Sequence, residues 1–367
     1  MKILIMTGKF GMGHWSAANS LKDAMLRAVP GLEVSVVDLF DWAAPDCADA
    51  IYKGFNLLVN HGSGLYNIYY KATSLAHSGG GDGNLCTLAL LDTVEKLVEA
   101  ERPDGILATH PLCAQLISYY KKERGGALPL VTCITDMSVH PEWINPRTDC
   151  YMVGSAEVRD GLIERGVKAD RILVTGIPVR PEFKLPPLRV EHETKELLLM
   201  GGGLGLLPKG RKFYDGLNAL PGVHTTIITG SNQKLYDRLA GRWEHITVLG
   251  YTDHVRDHML RADLMLSKPG GITLSEAIYT GLPILMPKPF LQQERNNAAF
   301  AVRRGIGRVA PKDSEACLEM IRTLLFDRHA LQTMSHNMEL LRAEWKETGP
   351  EQWLSRLAEA AKEGRCA

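Results

Sequence analysis

Short apolar runs that end in glycine or a polar residue recur along the chain, each followed by a helical pattern, and the rhythm breaks once and then restarts. Ile3–Met6, Val34–Val37, Asp104–Thr109, Leu130–Ile134, Tyr151–Val153 and Ile172–Val174 read as strands, and Ser16–Arg27 as the first helix between them. Runs this short and apolar, separated by helices, suit a parallel sheet buried on both faces. From Ile177 to Thr194 the pattern gives way to Pro178, Pro181, Pro186, Pro187 and a charged run, which mark a linker. It then resumes with strands at Glu196–Met200, Thr225–Thr229, Thr247–Leu249, Leu264–Leu266 and Ile284–Met286, and closes with helical segments from about Asp313 to Lys362. The 367 residues exceed one usual core. The expected architecture is α/β: two doubly wound parallel-sheet domains, 1–178 and 195–345, a hinge at 179–194, and a C-terminal helix, 346–367, returning to the first domain. A central cleft is expected where the C-terminal strand ends of both sheets face each other.

The 42 basic and 42 acidic side chains cancel, so nucleic-acid binding through overall charge is not expected. Seven cysteines show no CxxC or other metal-ligand spacing and read as reduced, buried thiols of a cytosolic protein. No stretch approaches the roughly 18 apolar residues that span a bilayer, and Met1–Gly8 is too short for a signal peptide. Any membrane contact is therefore expected to be peripheral. Residues 46–92 depart from the alternation. Ile51–Asn60 and Leu65–Lys71 carry Tyr52, Phe55, Tyr66, Tyr69 and Tyr70, which suit either an interfacial helix or helices covering the sheet.

The densest chemistry lies in the second half. Lys268-Pro-Gly-Gly-Ile-Thr-Leu-Ser-Glu276 is followed by Gly281-Leu-Pro283 and Gln293-Glu-Arg-Asn-Asn297. Gly270 and Gly271 let backbone N–H groups approach an anion at a helix N-terminus. Glu276, about one turn further on, is within reach of vicinal sugar hydroxyls if a nucleotide sits on that turn. Gln293, Glu294 and Asn297 fall at the next strand-to-helix junction, where open parallel sheets place ligands. Pro-Gly-Gly is a common turn, and an acidic residue near a helix start is ordinary charge compensation. The ordered run is far more specific than either half and suits a nucleotide-sugar. Gly201, Gly202 and Gly203 form a second candidate phosphate cradle, and the loop of Tyr251 is placed to hold a base.

In the first half, Thr7-Gly-Lys-Phe-Gly-Met-Gly-His14 only loosely matches a dinucleotide fingerprint, with Asp38 the one acidic residue beyond the second strand. Gly11 and Gly13 bring His14 to a helix start, where it can take a proton from an attacking hydroxyl, cap the helix or bind phosphate. Asp136 ends another strand and can orient that base, bind an acceptor or cap a turn; His140 and Trp143 are candidate walls of an acceptor channel. His110 reads equally well as structural. The chain has no DxD pair, HExxH, GxSxG elbow or GxxxxGK[ST] loop. His254 and His258 read as a surface pair rather than a zinc site, and Arg303, Arg304 and Arg308 as a solvated face.

Taken in order, the GxGH loop, the TD…H..W segment, Val174-Thr-Gly-Ile-Pro-Val179, the Gly201 loop and the KPGG.T..EA…GLP…QE..N block resemble the monogalactosyldiacylglycerol synthase and processive diacylglycerol glucosyltransferase group. These are GT-B glycosyltransferases related to the peptidoglycan N-acetylglucosaminyltransferase. The resemblance covers nearly the whole chain. It implies two Rossmann-like domains and inverting transfer, without a required metal or other cofactor, from UDP-glucose or UDP-galactose to a diacylglycerol-like lipid at the inner face of the cell membrane. It implies His14 as base or acceptor-side residue, Glu276 on the ribose, Gly271 and Thr273 on the diphosphate, and Gln293 and Glu294 on the sugar hydroxyls. Trp15 stands where plant-type galactolipid synthases usually have arginine, and Phe290-Leu-Gln292 where proline and glycine are common, which leaves the donor sugar and the acceptor open. A UDP-sugar 2-epimerase on the same scaffold and a non-catalytic nucleotide-sugar sensor are the rival readings.

Overall fold

The N-terminal apolar run forms β1 (Lys2–Thr7), and five later runs join it: β2 (Glu33–Asp38), β3 (Gly105–Ala108), β4 (Leu130–Cys133), β5 (Cys150–Val153) and β6 (Ile172–Val174). In the computed structural model these strands lie in the order β2-β1-β3-β4-β5-β6, every pairing parallel, with Ile3 opposite Val34 and Gly105. The structure describes residues 1–10, 12–61, 85–125, 128–187, 193–202, 207–208, 210–345, 352 and 354–355, with side chains for all of these except 55–61 and 85–89. Two compact units are present, Met1–Pro181 with Glu344–Ala367, and Glu182–Ala343, so the division falls inside the proline-rich segment.

The first sheet buries both faces by simple alternation. Leu4, Met6, Ile106 and Ala108 pack with Leu39, Val94, Leu97 and Ile117 on one side; Ile3, Ile5, Leu107 and Val131 pack with Ala18, Leu21 and Met25 on the other. Among the described residues, the α-helices of this unit are α1 (Gly13–Ala28), α2 (Leu39–Ala43), α3 (Pro45–His61), α4 (Leu85–Glu101), α5 (Pro111–Arg124) and α6 (Ala156–Ile163). Because β1 lies between β2 and β3, the chain winds off in opposite directions from the β1/β3 boundary. That boundary is the topological switch point, where a crevice opens at the C-terminal strand ends.

The chain re-enters the first unit at Trp345. Its indole is buried and donates to the Gly154 carbonyl at 3.1 Å. Trp345→Phe keeps most of the packing but strands that carbonyl, and is expected to lower stability by about 1–2 kcal/mol, measured as a drop in the denaturation midpoint followed by circular dichroism.

The second unit repeats the plan with β7 (Lys195–Met200), β8 (Val223–Ile228), β9 (Ile246–Leu249), β10 (Leu264–Ser267), β11 (Ile284–Met286) and β12 (Gly307–Val309), all parallel, in the order β12-β11-β10-β7-β8-β9. Between and after them run α7 (Arg211–Asn218), α8 (Gln233–Leu239), α9 (Val255–Arg261), α10 (Gly271–Thr280), α11 (Gln292–Arg303), α12 (Ser314–Phe326) and α13 (Arg328–Glu344). Leu197, Leu199, Leu264 and Leu266 pack with Phe213, Leu217, Ile321 and Leu325. Here the switch point lies between β7 and β10, so the turns after those two strands flank one crevice.

β12 was not expected from the sequence. It opens on a glycine and carries an exposed Arg308, so no apolar alternation announces it. The glycine is required, because a Cβ on Gly307 would lie 2.4 Å from the Ile284 carbonyl oxygen.

Among the cysteines with described side chains, Cys113, Cys133, Cys150 and Cys317 are buried, as expected, whereas Cys47 is exposed. Burial pushes the Cys133 thiol up to about 12, so it stays protonated. Among the described residues, no helix is long and apolar enough to cross a membrane.

Candidate active site

His14 is the second residue of α1, directly beyond the C-terminal end of β1. Met12, just before the helix, holds φ 65°, a left-handed conformation that a non-glycine residue rarely adopts. The backbone reversal brings the imidazole back over the end of β3. Nδ1 lies 2.7 Å from the Thr109 carbonyl oxygen and 2.9 Å from Thr135 Oγ1. A carbonyl only accepts, so Nδ1 carries the proton and Nε2 keeps its lone pair. The Thr109 hydroxyl is itself tied to Thr7 Oγ1 at 2.8 Å and to the His14 carbonyl at 3.0 Å. Three strand ends thus fix one tautomer.

The electrostatics agree with that tautomer. Burial, the largest effect, lowers the pKa of His14, while the Asp136 carboxylate and the Thr109 carbonyl pull it back up. The ring is neutral at physiological pH, and Asp136 stabilises the imidazolium formed when a proton arrives. His110 meets the His14 ring edge-on at 4.6 Å between centroids. Burial and the neighbouring His14 hold its pKa well below the ordinary value, and its Nδ1 accepts the Leu112 N–H at 3.2 Å as the cap of α5. It is a neutral structural partner.

Two acceptor-side expectations are corrected. Trp143 is 2% exposed and packs with Ile134 and Tyr151 in the core, its ring 6.1 Å from that of His14. It is a floor beneath the His14 ring, not a channel wall. His140 is also buried and caps the short turn Pro141–Trp143 by accepting from the Glu142 N–H. Gly13 opens α1 as the motif required, and Gly11 lies outside the described residues.

Asp38 and Tyr52 also take roles the sequence did not show. Asp38 is 4% exposed and accepts from the Phe40, Asp41 and Lys9 N–H groups at 2.9, 3.0 and 2.9 Å. It accepts as well from the Tyr52 hydroxyl at 2.5 and 2.6 Å to its two oxygens. A carboxylate so fully engaged is a clamp on the loop before His14, not a ribose ligand. The Tyr52 ring packs against Phe10 at 4.9 Å and Phe40 at 6.0 Å, so this tyrosine faces inward rather than toward a lipid surface. Phe55, Tyr66, Tyr69 and Tyr70 lie outside the described side chains.

In the second unit the two glycine turns do flank the switch point. Gly270 is the N-cap of α10 and supplies no side-chain cap to the first N–H groups of the helix. Gly202, after β7, holds φ 67°, and a Cβ there would lie 3.0 Å from Lys268 Cε. Gly201 is buried beside it; Gly203 lies outside the described residues. Glu276 and Gln293 are both partly exposed, Glu276 in the second turn of α10 and Gln293 at the start of α11. Tyr251, beyond β9, is 76% exposed, its hydroxyl donating to Asp253 at 2.9 Å.

Asn297 is a correction. It is 1% exposed and donates from Nδ2 to the Pro269 carbonyl at 3.1 Å, so it pins the glycine turn from behind instead of meeting a sugar. Glu294 is buried and paired with Lys268 Nζ at 3.4 Å. Lys268 opened the motif yet was not singled out, because only the fold shows its ammonium next to both glycine turns. Thr109 and Thr135 were missed for the same reason. Among the described residues, no group of three His, Cys, Asp or Glu side chains is placed to hold a metal ion.

The sequence pattern of monogalactosyldiacylglycerol (MGDG) synthase matches residues 14–179, and that of the glycosyltransferase family 28 C-terminal domain matches residues 215–347. A processive diacylglycerol beta-glucosyltransferase of Bacillus cytotoxicus is 30% identical over 356 residues, covering 92% of this chain and 89% of the relative. The chain belongs to this glycosyltransferase family. The glycosyltransferase also shares its fold with a spinosyn rhamnosyltransferase solved with spinosyn aglycone, at TM-score 0.63 and 16% identity over 98% of this chain and 100% of that one. A UDP-N-acetylglucosamine 2-epimerase shares it at TM-score 0.53 and 15% identity, over 92% of this chain and 90% of that one. At such identities the likeness shows the GT-B fold and no more. It is family membership that separates this glycosyltransferase from an epimerase of the same scaffold.

Proposed function

We propose that this glycosyltransferase moves a hexose from a UDP-sugar to the hydroxyl of a diacylglycerol-like lipid with inversion at the anomeric carbon. The observation that carries the reading is the fixed tautomer of His14, which leaves Nε2 as a proton acceptor at the β1/β3 switch point. In the reaction the lipid oxygen forms a bond to the anomeric carbon as the bond from that carbon to the diphosphate oxygen breaks. The hydroxyl proton passes to Nε2, and UDP leaves with the electron pair. Asp136 favours the resulting imidazolium. The departing diphosphate is met by main-chain N–H groups at the start of α10, so charge is neutralised by fixed dipoles without a required metal. Glu276 takes the ribose hydroxyls, Gly271 and Thr273 the diphosphate, Gln293 and Glu294 the hexose, and Tyr251 lies beside the base. The name of the Bacillus cytotoxicus relative supports the lipid acceptor, and UDP-glucose and UDP-galactose are the two donors to be told apart. In this reading the reaction takes place at the inner face of the cell membrane, with the protein bound there peripherally.

The purified chain should convert diacylglycerol in detergent micelles to a hexosyl lipid with one of those donors, detected by mass spectrometry, and release UDP in equal amount. Epimerised UDP-sugar formed without acceptor would replace this reading with the epimerase. Binding of UDP-sugar with no turnover would replace it with a sensor.

A further inference from the structure

Lys268 is the one basic side chain from the end of β10 to the end of α10, and its surroundings resemble a waiting position more than a structural ion pair. Its Nζ makes a 3.4 Å contact with Glu294 Oε1, well beyond the about 2.7–2.9 Å of a tight charge-assisted hydrogen bond. The Glu294 side chain is only 8% exposed, whereas that of Lys268 keeps 29% of its surface open. The lysine stem runs under Gly202, where no larger residue fits without displacing it. The ammonium is thereby held between the turn after β7 and the turn after β10, the two sides of the switch point. An ammonium has three donors, and one carboxylate oxygen at long range occupies a single one of them. A buried carboxylate, in turn, needs a partner as long as no ligand supplies one.

We infer that Lys268 exchanges partners when donor binds. Its ammonium leaves Glu294 for the diphosphate, and the released Glu294 carboxylate becomes an acceptor for hydroxyl groups of the sugar. A diphosphate carries more negative charge than one carboxylate and outcompetes it for the lysine. The exchange couples occupancy of the diphosphate site to the readiness of the sugar site, so that UDP-hexose binds with an advantage over UDP alone. This inference rests on the UDP-sugar reading above.

The test is calorimetric titration of the full chain with UDP, uridine and a UDP-hexose. Lys268→Gln is expected to weaken UDP by about tenfold or more while changing uridine by less than about twofold, since only the diphosphate loses a charged donor. Lys268→Arg should restore most of the UDP affinity. Glu294→Gln should leave UDP as tight as in the wild type, or tighter, and abolish the extra affinity of UDP-hexose over UDP. Equal losses of UDP and uridine in Lys268→Gln, or no loss of UDP, would overturn the exchange. So would a Glu294→Gln chain that loses UDP as severely as Lys268→Gln does, because the pair would then act only as a scaffold. A wild-type chain that bound no UDP would overturn the underlying functional reading as well, whereas unchanged UDP binding in Lys268→Gln would overturn the exchange alone.

Discussion

His14→Ala is expected to lower kcat for lipid glycosylation by about a hundred- to ten-thousand-fold, the usual contribution of a positioned general base, while UDP binds as in the wild type. Binding survives because no donor-side residue is touched: the glycine turns, Lys268 and Glu276 all belong to the second unit. The pH dependence gives a separate check. The base works only when Nε2 is unprotonated, so the rate falls as pH drops through the pKa of His14. Burial lowers that pKa, and the acid limb of the profile therefore lies below 6.5. Asp136 raises it by stabilising the imidazolium. Asp136→Asn removes that charge and should move the limb to still lower pH, with a smaller maximal rate because the protonated base is less well stabilised. A limb that moved to higher pH in Asp136→Asn, or full activity in His14→Ala, would transfer the role of base to another group.

The second large effect is on stability. Asp38→Ala is expected to destabilise the first unit by about 3–5 kcal/mol, because it removes a buried charge that several donors share. The N–H groups of Phe40 and Asp41 and the Tyr52 hydroxyl lose their acceptor together, and the Lys9 N–H keeps only its 3.2 Å contact with the Tyr52 oxygen. Tyr52→Phe removes only the hydroxyl from this cluster and should cost about 1–2 kcal/mol. In the double variant the tyrosine change should add less than it costs alone, since its Asp38 partner is already gone and only the Lys9 N–H contact remains to be lost. Denaturation of each variant, followed by circular dichroism, gives both differences. The loop from Lys9 to His14 loses its anchor in Asp38→Ala, so transfer should fall further than stability alone explains. Equal stability of Asp38→Ala and Tyr52→Phe would show that the main-chain donors find other acceptors.

Much of the molecule could be read without coordinates. Eleven of the twelve strands among the described residues follow from apolar runs such as Ile3–Met6 and Leu264–Leu266, because a strand buried on both faces must be apolar along its length. β12 escaped, since its glycine is selected by a close approach to Ile284 and leaves no hydrophobic signature. The glycine turns and His14 were legible for a related reason: backbone reversal and anion approach demand particular residue types at particular spacings. Trp143, His140 and Asn297 stand beside those motifs in the chain and were read as parts of the site. Their burial follows from packing against Ile134, the Pro141–Trp143 turn and Pro269, contacts that residue type alone does not disclose.

The amino-acid order by itself determined two parallel-sheet units, the proline-rich break between them, and the glycine turns to which the proposed function assigns phosphate and proton chemistry. These depend on local periodicity and on what glycine, proline and short polar residues permit over a few positions. Only the tertiary structure decided that Thr109 and Thr135 select the His14 tautomer, that Asp38 is a clamp, and that Lys268 reaches Glu294 beside Gly202. Each of these joins side chains delivered by separate strands, and strand order in a doubly wound sheet is set by how whole helices cover its faces.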